Sequence, residues 1–170
     1  MPRIIDWKHT IRDGPTDLNV AEKVIEGITR LFEEDASILI RRANERNITA
    51  LLACHLKPLF TGWNVDCEFN RDFKDANDIK KIERRRVVPD IIVHHRCAAD
   101  VNACPDPVDH LLVIEVKQSP KDDPESATDA KDIQKLAGFC RVHGYQNALF
   151  LKFISGDPTL GLWRIEWVAP

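Results

Sequence analysis

Glycine is scarce in this chain, seven in 170 residues. There is no P-loop, no Gly-rich dinucleotide fingerprint and no Ser nucleophile elbow, so nucleotide-cradling and acyl-transfer chemistries of those kinds are not indicated. A strong net charge is missing too: 24 basic against 27 acidic residues leave −3. No global field therefore draws nucleic acid to the molecule, and any such partner must be held by local patches. No apolar run approaches transmembrane length, and the start Met-Pro-Arg-Ile-Ile-Asp-Trp is too short and polar for a signal peptide. The five cysteines (Cys54, Cys67, Cys97, Cys104, Cys140) are odd in number and lack the spacing of a disulfide scaffold. Together these absences lead us to expect no membrane partner and a reducing, cytoplasmic location. Internal repeats and low-complexity tails are absent as well.

What is present is an ordinary globular composition, 44% apolar and 30% charged, in a chain long enough to bury a core. A single domain over residues 1–170 is expected, with a helical part over about 17–60 and a sheet core over about 63–168. Asn19-Val-Ala-Glu22 has the form of a capping box, and Val24, Ile28, Leu31 and Phe32 follow at helical spacing. A second helical stretch over 37–60 has a break near Asn44 and an apolar stripe through Ile48, Leu51, Leu52 and Leu59. Residues 63–69 alternate as a strand, and 70–86 form a charged loop or exposed hairpin. Residues 87–95 and 110–117 are nearly continuous apolar strands, the pattern of a sheet covered on both faces. From 126 to 143, Ile133, Leu136, Ala137 and Cys140 mark one helix face, with Gly144 as its C-terminal cap. Strands over 148–154 and 161–168 close the chain. Strand, crossover helix and strand in that order predict a parallel pair, so the fold class is α/β: a mixed central sheet flanked by helices, preceded by a helical segment.

The informative residues are charges placed on those apolar strands. Val-Val-Pro-Asp-Ile-Ile-Val (87–93) carries Asp90 at its start, and Val-Ile-Glu-Val-Lys (113–117) carries Glu115 and Lys117 on one face, two residues apart. Burying such groups is costly unless something compensates. Two adjacent carboxylates repel, and without a cation at least one has a raised pKa. A hard divalent ion removes the conflict. The plain alternative is that Asp90 caps a turn while Glu115 and Lys117 form an edge-strand pair.

Pro89-Asp90 and Glu115-Val116-Lys117, with 24 residues between the acids, resemble the PD-(D/E)XK nuclease superfamily, in its small stand-alone prokaryotic members. The resemblance covers roughly residues 37–154 and implies a restriction-endonuclease-like core. It also implies a metal-dependent nuclease that hydrolyses phosphodiesters, a DNA endonuclease before an RNA one, using Mg²⁺ with Mn²⁺ as substitute. By the same resemblance Asp90, Glu115 and the Val116 carbonyl hold the metal, and Lys117 stabilises the attacking water and the charge on phosphorus. Glu45, on the first core helix, serves as the additional catalytic acid or the ligand of a second metal. A solvated helix acid paired with arginines is its plain alternative, and Glu22 is the weaker match for the same role. Some relatives carry a glutamine followed four residues on by tyrosine on the helix after Glu-x-Lys. Here Gln134 is followed by Gly138.

Secondary features surround this set. The basic run Lys80, Lys81, Arg84, Arg85 and Arg86 leads into the Asp90 strand and is a candidate phosphate grip, with a solvated loop as its plain reading. Arg41, Arg42 and Arg46 flank Glu45 and either join the same face or pair with Glu33, Glu34 and Asp35. Lys135 is a candidate backbone contact whose plain reading is an exposed helix lysine. His94, His95, Cys97, Cys104 and His110 lack standard zinc spacing and read as free thiols and partly buried strand histidines. Trp63, Trp163 and Trp167 read as packing groups. Apart from the nuclease, the alternatives are a non-catalytic nucleic-acid-binding or structural module of the same fold, or a nuclease that needs a homodimer or partner subunit.

Overall fold

Residues 110–120 and 147–155 are rich in Val, Ile, Leu and Phe, interrupted by Glu115, Lys117 and Lys152, and they form the two longest strands. The computed structural model describes residues 6–14, 18–69, 80–83, 85–95, 110–121 and 128–169. In chain order these form α1 (Trp7–Arg12), α2 (Leu18–Glu34), α3 (Ala36–Ile40), α4 (Glu45–Leu56), β1 (Asn64–Cys67), β2 (Lys81–Ile82) and β3 (Arg85–Arg86). There follow β4 (Ile91–His94), β5 (His110–Pro120), α5 (Asp129–His143), β6 (Asn147–Ser155) and β7 (Leu162–Trp167). Five strands make a mixed sheet in the order β1-β4-β5-β6-β7. β5 and β6 run parallel and in register from Leu112 beside Asn147 to Pro120 beside Ser155, while the other neighbours are antiparallel. The α/β class, the mixed sheet and the parallel pair joined by α5 agree with the sequence reading.

Alternation along the strands divides the core in two. Ile91, Val93, Leu112, Ile114, Val116, Leu149, Leu151 and Phe153 face α2, α3 and α4, where Val24, Ile28, Leu31, Leu39, Ile48, Leu52 and Leu56 are fully buried. Ile92, Val113, Ala148 and Phe150 face Leu136, Phe139 and Cys140 of α5. With both faces covered, the strands have no reason to alternate polar residues, which explains their continuous apolar character. Glu115 and Lys117 continue the stripe that faces α5.

Several local expectations are corrected. A short helix, α1, precedes the predicted helical region; Asp6 caps it, and Ile11 is its buried residue. One turn and a half is too short to show a hydrophobic period. Asn19 is not an N-cap, since α2 already begins at Leu18. Glu22 instead receives Arg12 at 2.6 and 3.2 Å. The break near Asn44 is real: Asn44 caps α4 by accepting from the Asn47 N–H at 3.0 Å. β4 is shorter than residues 87–95, because Pro89 has no N–H to give and the chain bends at Asp90. Of the charged stretch 70–86, residues 81–86 carry the small hairpin β2–β3, and residues 70–79 and Arg84 lie outside the described residues. Ile82 seats that hairpin against Gly138 of α5. No helix among the described residues is long and apolar enough to cross a membrane.

α5 ends as predicted. Gly144 adopts φ 72° and returns its N–H to the Cys140 carbonyl at 3.0 Å, a left-handed conformation that costs glycine nothing. Gly144→Ala is expected to lower the stability of the protein by about 1 kcal/mol with no change in function. Urea denaturation checks this through a lower midpoint at unchanged slope.

Candidate active site

β4 stops at Ile91, opposite Ile114 of β5, so β5 continues past the end of its neighbour. Asp90 fills the gap: its Oδ2 accepts the Val116 N–H at 2.8 Å, replacing a ladder partner by a carboxylate. Glu115, beside it in the chain, points to the α5 face and is 1% exposed. β5 is the third of five strands, so Glu115 and Lys117 are not an edge-strand pair, and they do not bond each other.

Their partners come from helices. Lys135 of α5 donates to Glu115 Oε2 at 2.8 Å. Lys117 donates to Glu45 Oε1 at 2.8 Å, with Asp132 Oδ2 at 3.6 Å. Glu45 is the first residue of α4, and its neighbour Arg46 turns away to Glu68 at 3.1 Å. The turn before α4 is tied to the same strand, because Gln118 Nε2 donates to the Ala43 carbonyl at 2.6 Å. The four residues expected to be catalytic, Glu45, Asp90, Glu115 and Lys117, thus lie in one connected cluster with the Val116 backbone.

Lys135 is corrected from an exposed helix lysine to a partly buried member of that cluster. Asp132 was missed altogether. The signal for both was present in the sequence: Asp129, Asp132 and Lys135 are spaced i, i+3, i+6, one stripe beside the apolar stripe of α5. Each meets the opposite charge on the sheet, since Asp129 accepts from the buried Lys152 at 2.8 Å. Lys117 and Lys152 are register neighbours on β5 and β6. The helix therefore presents acids to the two lysines and a lysine to the one glutamate.

Electrostatics follow from burial. Desolvation, aided by the nearby Asp90 charge, pushes the Glu115 carboxyl up to about 8 against the pull of Lys135. Desolvation also raises Asp90, although its bond to the Val116 N–H and the charges of Lys135 and Lys117 oppose the shift. Burial works against the Lys117 ammonium, but the Glu45 bond and charge, with Asp132 and Asp90 beyond, outweigh it and hold its pKa above the ordinary lysine value. Lys117 is a fixed cation and not a base.

Each of the two central carboxylates has one oxygen anchored and one spare. Among the described residues, Glu115 Oε1 is buried with no hydrogen-bond partner, and the Asp90 side chain makes only its bond to Val116. Spare carboxylate oxygens on two adjacent acids are the donor set of a hard divalent cation. Among the described residues no three His, Cys, Asp or Glu side chains gather as a metal group. An ion held here would need further ligands beyond these side chains, from backbone carbonyls such as that of Val116 or from water.

The other expected residues lie elsewhere. Lys80 is corrected: it is fully buried and donates to the Tyr145 hydroxyl at 2.6 Å, so it grips no phosphate. Lys81, Arg85 and Arg86 are exposed on the β2–β3 hairpin, seated one helical turn beyond Lys135. Asp35 bonds His55 at 2.7 Å and makes no pair with Arg41 or Arg42. His94 is fully buried, bonds Asp66 at 2.7 Å and lies over the His110 ring. His95 instead stacks on Trp63. Trp163 and Trp167 donate to the Pro120 and Ile11 carbonyls at 3.2 and 3.1 Å, as packing groups do. Cys54, Cys67 and Cys140 are free thiols, while Cys97 and Cys104 lie outside the described residues. No family model, no curated protein and no solved structure matches the chain.

A pH test follows from Glu115. Its folded pKa of about 8 exceeds the ordinary carboxylate value of 4.5, so between those two pH values the unfolded chain has lost a proton that the folded protein keeps. Stability of the metal-free protein therefore falls as pH rises through that window. Glu115→Gln is expected to flatten the fall and to stabilise the metal-free protein by up to about 4 kcal/mol at pH 8, with little gain at pH 4. Denaturation midpoints across pH check it. An equal loss of stability at both pH values would instead make Glu115 a structural ion-pair partner.

Proposed function

We propose that this protein is a metal-dependent nuclease with a restriction-endonuclease-like core, hydrolysing phosphodiester bonds in DNA. The observation that carries the reading is the Glu115 carboxylate, withdrawn from water beside Asp90 and anchored through one oxygen with the other left unpartnered. The strand order supports it as well: β1, β4 and β5 form an antiparallel set, and α5 then leads to a parallel β6, in keeping with the PD-(D/E)XK resemblance. A module that only binds nucleic acid gains nothing from two acids that repel phosphate.

Asp90 and Glu115, with the Val116 carbonyl, would hold Mg²⁺ or Mn²⁺. When bound, such an ion polarises a phosphoryl oxygen and makes a water molecule acidic enough to attack at neutral pH. The chain's own residues supply the rest. The Val116 N–H and Lys135 fix the two carboxylates in orientation, so little rearrangement is needed at the moment of reaction. Lys117 brings a permanent positive charge to offset the negative charge that grows on the phosphoryl oxygens. Glu45 is committed to Lys117 at 2.8 Å, so we assign it the orientation of that ammonium in place of a second metal. Asp132 shares this duty from the opposite side.

The test is cleavage of supercoiled plasmid, linear duplex and single-stranded DNA with Mg²⁺ or Mn²⁺. Asp90→Asn and Lys117→Ala are each expected to lower the rate by on the order of 100-fold or more, and the preferred substrate identifies the geometry the site accepts. Binding without cleavage would point to a missing partner subunit. Cleavage unaffected by both substitutions, or no metal-dependent heat by calorimetry in the wild-type protein, would sink the reading.

A further inference from the structure

Arg42 holds a backbone position where glycine is the usual choice. It follows α3 at φ 55°, with its N–H on the Leu39 carbonyl at 3.1 Å and the next N–H, that of Ala43, on the Ile38 carbonyl at 2.8 Å. This is the left-handed helix closure that Gly144 provides for α5. An arginine there gives up conformational ease that glycine would keep.

The arginine side chain is nonetheless accommodated. Gly156, itself at φ 75°, follows β6 and gives its N–H to the Leu39 carbonyl at 2.9 Å. A Cβ at Gly156 would lie 2.8, 3.0 and 3.1 Å from Arg42 Cδ, Cγ and Nε, so the arginine stem lies across the bare glycine backbone. Arg12, Arg30, Arg46 and Arg164 all have carboxylate partners. Arg42 is exposed and, among the described residues, pairs with none; Arg41, Arg85 and Arg141 also lack a carboxylate partner there, so what sets Arg42 apart is the support of its stem. Its turn is joined to the candidate centre on two sides, through the Ala43 carbonyl to Gln118 and through Glu45 to Lys117. An unpaired guanidinium with a supported stem, at the edge of a phosphodiester site, has the form of an anion contact.

We propose that Arg42 binds a non-scissile phosphate of the nucleic-acid backbone, next to the phosphate that reacts. The inference rests on the nuclease reading above and adds a substrate subsite to it. Arg41, also exposed, adds charge beside it without the support of a glycine.

Binding of short fluorescent duplex and single-stranded DNA by the full chain, with Ca²⁺ in place of Mg²⁺ and over a range of salt, tests it. Arg42→Gly is expected to bind about tenfold more weakly and to lower the salt slope by about 1. Its melting temperature should be no lower than that of the wild type, because glycine suits the backbone there. Arg42→Lys, which keeps the charge, should recover part of the affinity. Should Arg42→Gly bind as the wild type does, with the same slope, the subsite is wrong and the nuclease reading stands. A lower melting temperature for Arg42→Gly would make Arg42 a structural residue and overturn the proposal. Wild-type protein that binds neither DNA would overturn both.

Discussion

A carboxylate taken out of water needs a countercharge or a proton, and Glu115 is 1% exposed on the middle strand of a sheet covered on both faces. Much of the surrounding structure answers that one burial. β4 ends early, which lets Asp90 close the Val116 N–H that the missing ladder leaves open. Lys135 reaches from α5 to one oxygen of Glu115, and the other oxygen stays unsatisfied. The pair reduces the cost without cancelling it, which is why the carboxyl remains raised to about 8. A buried ion pair of this kind is weak grounds for stability. On the reading proposed above, the arrangement is preparation for a cation more than support for the fold.

The same constraint shapes α5. An amphipathic helix needs only its Ile133, Leu136, Phe139 and Cys140 face to cover a sheet, but this one adds Asp129, Asp132 and Lys135. The result keeps Lys117 and Lys152, adjacent on parallel strands, from repelling each other unopposed. It also fixes protonation states by position: Lys117 between Glu45 and Asp132 stays charged, while Glu115 between Asp90 and Lys135 is drawn towards neutrality. Both pKa values rise, yet one group is drawn toward neutrality and the other is held charged, because of which helix each side chain meets; burial alone would have moved both toward their neutral forms.

How much of this was legible depends on the kind of signal. β5, β6 and α5 were read nearly to their ends because long elements carry their period many times over and Gly144 marks a stop. Pro89-Asp90 and Glu115-Val116-Lys117 were legible because charges on buried strands break a pattern. α1 was not, since six residues with a single buried side chain carry no period. Lys80 misled for the opposite reason: a lysine in a basic run looks solvated, and only the fold brings the Tyr145 hydroxyl and the aromatic faces of Phe69 and Tyr145 around it. Asp132 and Lys135 were in plain view, but a charged helix stripe faces solvent far more often than a sheet, and the sheet's own charges decide the matter.

The departures from local preference have a geography. Glu83, at φ 50°, directly follows β2 of a hairpin, where a left-handed residue suits the twist of the strands. Arg42 has no such reason, because α3 would close more easily on glycine. Around the same end of β5 lie buried oxygens of Glu115, Gln118, Asp129 and Asp132 that have no hydrogen-bond partner among the described residues. A chain selected for stability alone would have little reason to keep these groups there, since glycine suits the backbone at 42 and replacing buried paired charges together by packed apolar residues is often at least neutral. Their concentration around one strand end, with Asp90 at the break in β4 and Arg42 on the adjoining turn, is the pattern expected where binding and chemistry outrank folding.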